Sequence, residues 1–110
     1  MPFVTHVFKQ QQRIENGRIV ANDPVIRRAN FEYNATGTEV VISIIPSLSP
    51  KRAYLIQEDC YTLKYRGSDS DYLFELECWP DNGTIKRLSV FRLDTGVEYR
   101  YISDHQDRMF

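Results

Sequence analysis

Residues 61–103 read YTLKYRGSDSDYLFELECWPDNGTIKRLSVFRLDTGVEYRYIS. Aromatic and β-branched runs are separated there by three turn signals, Gly67–Asp71, Pro80-Asp81-Asn82-Gly83 and Asp94-Thr95-Gly96, the punctuation of antiparallel strands joined by short turns. Tyr72, Phe74, Leu76 and Cys78 fall on one strand face, and Leu73, Glu75, Glu77 and Trp79 on the other. The first set is the expected core face. From Ile85 to Leu93 neither face is purely apolar, and a bulge near Ser89 would reconcile the two halves. Val97, Tyr99 and Tyr101 alternate with Glu98 and Arg100 in a closing strand.

Upstream, Asn16-Gly17 sits between Arg13-Ile14-Glu15 and Arg18-Ile19-Val20. Asn-Gly tolerates the two positive φ values of a type I′ turn, so a hairpin is expected with Glu15 facing Arg18 and Ile14 facing Ile19. Asn22-Asp23-Pro24 reads as a break, Val25–Tyr33 as a strand, Asn34-Ala35-Thr36-Gly37 as a turn, and Glu39–Ile45 as the next strand. Val40–Ile45 is apolar on both faces except at Ser43, which predicts cover on both sides, centrally or at a subunit contact. Pro46 closes that strand, and Ser49 before Pro50 has the form of an N-cap, predicting a short helix near 50–58 ahead of the Tyr61–Tyr65 alternation. The fold expected is therefore all-β with at most that one helix. An antiparallel meander of about seven to nine short strands would form a small barrel or a two-layer sandwich, since closure manages exposed edges.

Composition bounds the function. At 110 residues a single domain, 1–110, is expected, with a frayed tail at 104–110. Fourteen basic residues against fifteen acidic ones leave a formal charge of −1, without the one-signed footprint of a phosphate-backbone binder, so nucleic acid is not an expected partner. The N-terminus lacks the pattern of an export signal and no stretch is long and apolar enough for a helical membrane span, so a cytoplasmic location is expected. Asn34-Ala35-Thr36 and Asn82-Gly83-Thr84 fit the glycosylation sequon but read as turn chemistry in that setting. Cys60 and Cys78 lack metal-type spacing and read as free thiols.

Motifs for chemistry are sparse. Glu75 and Glu77 share a strand face, where Lys86, Arg87 and Arg92 are natural ion partners, and no His or third ligand accompanies them. His6, His105 and Asp104 would form a metal site only if the termini met. No Gly-x-Ser-x-Gly elbow or glycine-rich phosphate loop is present. No cofactor is expected.

The aromatic residues carry the better hint. Seven tyrosines and one tryptophan are more amphipathic rings than a small core comfortably buries with every hydroxyl satisfied. The reading is a binding module with a tyrosine-lined sheet face or cavity, its candidate ligand-binding residues Tyr61, Tyr65, Tyr99, Tyr101 and Arg100. A small apolar or aromatic ligand fits such a site, and self-association is expected through Val40–Ile45. Two alternatives stand beside it. One is a small barrel enzyme with Glu32, Glu58 or Glu75 as an enclosed general base and Tyr61 or Tyr99 as hydrogen-bond donor; the other is an inhibitor- or immunity-type interaction protein.

Overall fold

The computed structural model describes residues 3–45, 48–80 and 84–103. Eight strands follow one another in chain order: β1 (Phe3–Glu15), β2 (Arg18–Tyr33), β3 (Glu39–Ile45), β4 (Leu48–Glu58), β5 (Leu63–Ser68), β6 (Tyr72–Cys78), β7 (Ile85–Arg92) and β8 (Val97–Ile102). Each pairs antiparallel with the next, and β8 pairs back onto β1, closing the sheet into a barrel. The chain is all-β, and the expected meander is the observed topology.

Local chemistry sets the turns. Asn16 and Gly17 both adopt positive φ, 52° and 76°, and the Glu15–Arg18 and Ile14–Ile19 pairing is the register that their turn dictates. Asn34 Oδ1 accepts from the backbone N–H groups of Thr38 and Glu39, so this sequon asparagine works as a turn residue. Asp59 and Asp69 act alike, each carboxylate accepting from two backbone N–H groups that follow it, those of Tyr61 and Thr62 and those of Asp71 and Tyr72. Gly96 closes the β7–β8 turn at φ 73°. Of the Pro80–Gly83 turn, residues 81–83 lie outside the described residues, as does the whole 104–110 tail.

Several local expectations are corrected. Residues 50–58 form strand, not helix: Pro50 is exposed and falls where two residues of β4, Ser49 and Pro50, stand against Ser43 alone between the Ile42–Lys51 and Ile44–Leu48 pairs. At such a bulge the missing N–H costs no regular ladder bond, so the same Pro that starts a helix is accepted in a strand. Asn22-Asp23-Pro24 does not break the chain but runs inside β2, Pro24 opposite Gln10. The irregularity in β7 lies at Lys86, between the Glu77–Arg87 and Cys78–Ile85 pairs, rather than near Ser89. It puts Ile85, Leu88 and Val90 on the inner side together. Gly67, expected in a turn, is a strand residue.

The interior is filled by side chains. Phe8, Phe31, Val40, Ile42, Phe74, Leu76, Cys78, Ile85 and Leu88 are fully buried, and Phe8 meets Phe31 edge to face at 6.4 Å and 82°. Core-facing Tyr72, Phe74, Leu76 and Cys78 match the alternation read from sequence. Val40, Ile42 and Ile44 point into this core while Val41 is half-buried on the opposite face; β3 has β2 and β4 on its two edges.

The β1–β2 hairpin is offset from the rest of the ring. Gln10–Glu15 pair with β8, and Arg28–Tyr33 pair with β3. Among the described residues, the outer edge of β2 from Arg18 to Ile26 pairs with no strand.

Candidate functional site

The expected tyrosine site is dispersed by the barrel. Tyr65 and Tyr101 are buried in the wall lining, and Tyr99 is half-buried against the same core. The Tyr65 hydroxyl donates to the Gly37 carbonyl at 2.6 Å, and its ring stands 5.8 Å from that of Tyr33. Tyr101 packs 5.8 Å from Phe8. Burial raises the pKa of all three interior phenols, Tyr33, Tyr65 and Tyr101, keeping them neutral. Arg100 lies on the outside, paired with Glu98 at 3.0 Å. Tyr61 is 75% exposed beyond the end of β4. The structure thus brings three of the five onto the inner side and separates the other two.

Among the described residues the carboxylates are on the outside. Glu32 and Glu58 are exposed, and Glu75 is held by Arg66 at 2.6 Å and Lys64 at 3.9 Å. Glu77 bridges Lys64 at 3.4 Å and Arg87 at 2.6 Å. Glu75 and Glu77 therefore belong to an ion lattice over β5, β6 and β7, where solvent screening keeps each pair weak. Among the described residues no carboxylate is buried, so the enclosed general base of the enzyme reading is not found there. His6 Nε2 and Ser103 Oγ are 2.7 Å apart, a base-to-hydroxyl distance, and Ser103 is only 4% exposed. No group of three or more His, Cys, Asp or Glu that could hold a metal ion occurs among the described residues, and the His105 and Asp104 of the imagined site lie outside them.

The larger described cleft is where β4 and β5 stop pairing. Their ladder ends at Tyr54–Arg66, and beyond it Gly67 runs against the β4 backbone. A cleft of about 490 Å³ opens at this point, with Tyr54, Ile56 and Leu73 as its apolar surface, Lys51, Arg52 and Arg66 as its cations and Asp69 as its carboxylate. Tyr54 and Ile56 are about half exposed, so both present apolar surface to the cleft. Lys51 Nζ donates to Asp69 Oδ2 at 2.6 Å and stands 6.0 Å from the Tyr72 ring centroid. That hydrogen bond, with the backbone N–H groups of Asp71 and Tyr72, lowers the Asp69 pKa to about 2. Arg52 meets Glu39 at 3.1 Å, and Arg66 directs both Nε and Nη2 to a single oxygen of Glu75. Each arginine so engages its carboxylate through part of its fork, leaving donors directed elsewhere.

A second cleft, about 230 Å³, lies on the outer face of β6–β8 between Leu73 and Phe91, beside the Glu98–Arg100 pair. Ile14, across from Glu98, is 6% exposed although it lies apart from the main core cluster.

A helix expected near 50–58 hides the strand face that Arg52, Tyr54 and Ile56 share. Their signal was nonetheless present: Arg52, Tyr54 and Ile56 recur at the strand period of two. Compared with known proteins, the chain matches no family model, no curated protein and no solved structure.

Proposed function

We propose that this protein is a non-enzymatic binding module that takes its ligand on the outside of the barrel, in the cleft at the end of the β4–β5 ladder. The observation that carries the reading is the cleft itself: about 490 Å³ of space with an apolar surface and arginines at Arg52 and Arg66. That volume falls in the range of small-molecule sites, about 300–1,000 Å³. Its chemistry favours a small ligand with an aromatic or apolar body and a carboxylate. The body packs on Tyr54 and Ile56, and the carboxylate meets the guanidinium donors not given to Glu39 and Glu75. The packed interior supports an external site, since Phe8, Phe31 and Phe74 occupy the middle of the ring and the Tyr65 hydroxyl is already bonded to Gly37.

The test is a titration followed by backbone amide NMR, using naphthoate and its neutral amide as paired probes. Naphthoate is expected to shift signals of β4 and β5 around Tyr54 and Arg66, with the amide binding about tenfold more weakly for loss of the charge-assisted contacts. Tyr54→Ala and Arg66→Ala should each weaken the acid while preserving the fold. Shifts confined to inner-face residues such as Tyr99 and Tyr101, or no shifts at millimolar probe, would refute the assignment.

A further inference from the structure

From the free edge of β2 we infer that two copies of this chain join by antiparallel pairing of Arg18–Asp23 with the same segment of the second copy. Glu15 and Arg18 close the type I′ turn as a hydrogen-bonded pair, so the next pair, Ile14–Ile19, is of the non-bonded kind. Ile19 therefore directs its N–H and C=O away from β1. Between the Ile14–Ile19 and Arg13–Ala21 pairs Val20 has no partner, marking a bulge. Past the bulge the alternation resumes one residue late, so that Asn22, opposite Gln12, is the next residue to turn both groups outward. Pro24, opposite Gln10, also faces outward but has no N–H to give. The usable outer edge is thus short, with Ile19 and Asn22 as its two complete pairing positions.

The charges choose the register. Arg18 and Asp23 are both exposed, and neither forms an ion pair among the described residues; Glu15, the natural partner of Arg18 across the turn, is taken by Arg13 at 2.5 Å. When two such edges run antiparallel with Ile19 opposite Asn22, Arg18 comes opposite Asp23 of the second copy, and the same pair forms twice about the two-fold axis. In an unbulged strand residues 18 and 23 would lie on opposite faces. The extra residue at Val20 brings them to one face, which a two-fold pairing requires. Val20 and Ala21 fill the centre of this junction. Pro24 ends the ladder one residue beyond it, so pairing stops at a closed dimer and does not extend along the edge. This surface is separate from the β4–β5 cleft and does not depend on that cleft binding anything.

Sedimentation velocity on the full chain, from about 10 µM to about 1 mM, reads the prediction directly. A short junction of this kind is weak, so the wild type is expected to move from monomer to dimer across that range. R18D and D23R each set like charges opposite one another twice and should weaken dimerisation by about tenfold or more. The double variant R18D/D23R restores both pairs in reversed order and should recover the wild-type concentration dependence to within about threefold. Circular dichroism of each variant checks that the barrel is intact, which surface charge changes of this kind should leave unaltered. A wild type that stays monomeric throughout, a dimer insensitive to either single reversal, or a double variant as weak as the singles would overturn the inference.

Discussion

Replacing Gly67 with alanine tests the barrel at its tightest point. A Cβ built on Gly67 would collide with the Arg52 carbonyl oxygen and stand 2.9 Å from Ala53 Cα and 3.0 Å from the Arg52 carbonyl carbon. All three atoms are backbone, so no side chain can rotate aside, and β4 and β5 must separate by about 1 Å. Overpacking of this order costs about 3 kcal/mol. The alanine also restricts the unfolded chain, which returns about 0.7 kcal/mol, for a net loss of roughly 2 kcal/mol. In a domain near this size each kcal/mol is worth about 4–8 °C, so the midpoint should fall by roughly 10–15 °C. Gly37→Ala is the matched control: nothing lies within 4 Å of its Cβ, and only the φ of 72° is strained, at about 1 kcal/mol. Guanidinium unfolding at constant slope measures both. The reasoning is refuted if Gly67→Ala loses under about 0.5 kcal/mol, or less than Gly37→Ala, since the close backbone approach would then exert no force.

Two further predictions use the titrating groups. Asp69 has its folded pKa lowered to about 2, first by the hydrogen bond from Lys51, so its contribution to stability is fully present above the ordinary carboxylate range and is lost as pH falls from about 4 toward about 2. Asp69→Asn should flatten that part of the acid unfolding curve, and an unchanged slope would show that the Lys51–Asp69 bond does not persist in solution. Burial holds the Cys78 thiol up at about 11 while Cys60 is exposed, so an aromatic disulfide reagent at pH 8 should titrate one thiol in the native protein and two after denaturation. Two thiols reacting together in the native state would contradict the burial of Cys78.

Legibility in the sequence followed the range of the interactions. The Asn16-Gly17 hairpin and its register were readable because both positive φ values are demanded within two residues. The core face of β6 was readable because Tyr72, Phe74, Leu76 and Cys78 repeat at period two with no interruption. Ser49-Pro50 is ambiguous in the sequence because the cap chemistry of a helix start and the tolerance of a bulge use the same residues, and the pairing of β4 with β3 decides between them. Gly67 is ambiguous likewise, since glycine serves both turns and close backbone approach, and only the neighbouring β4 backbone tells the two apart. The tyrosines were legible as a surplus but not as a place. Alternation puts Tyr99 and Tyr101 on one face, but whether that face encloses space depends on Phe8 and the strands across the ring.

That last dependence governs where binding can occur. An eight-stranded ring has an interior about wide enough to be filled by side chains, or to hold one small ligand when those side chains are small. Here Phe8, Phe31 and Phe74 are all fully buried, and the Tyr65 and Tyr33 hydroxyls already have partners in Gly37 and Cys78. Enlarging that space would leave these hydroxyls unbonded or their rings unpacked, each at a cost of about 1–3 kcal/mol or more. The outer surface carries no such penalty. At the end of the β4–β5 ladder and along the first half of β2, the sheet leaves donors, rings and charges that its own pairing does not use. The first arises where the β4–β5 ladder terminates at Arg66, the second where β2 runs past the β3 ladder, with the bulge at Val20 setting its register. The departures from an ideal barrel are therefore the features to which recognition is assigned.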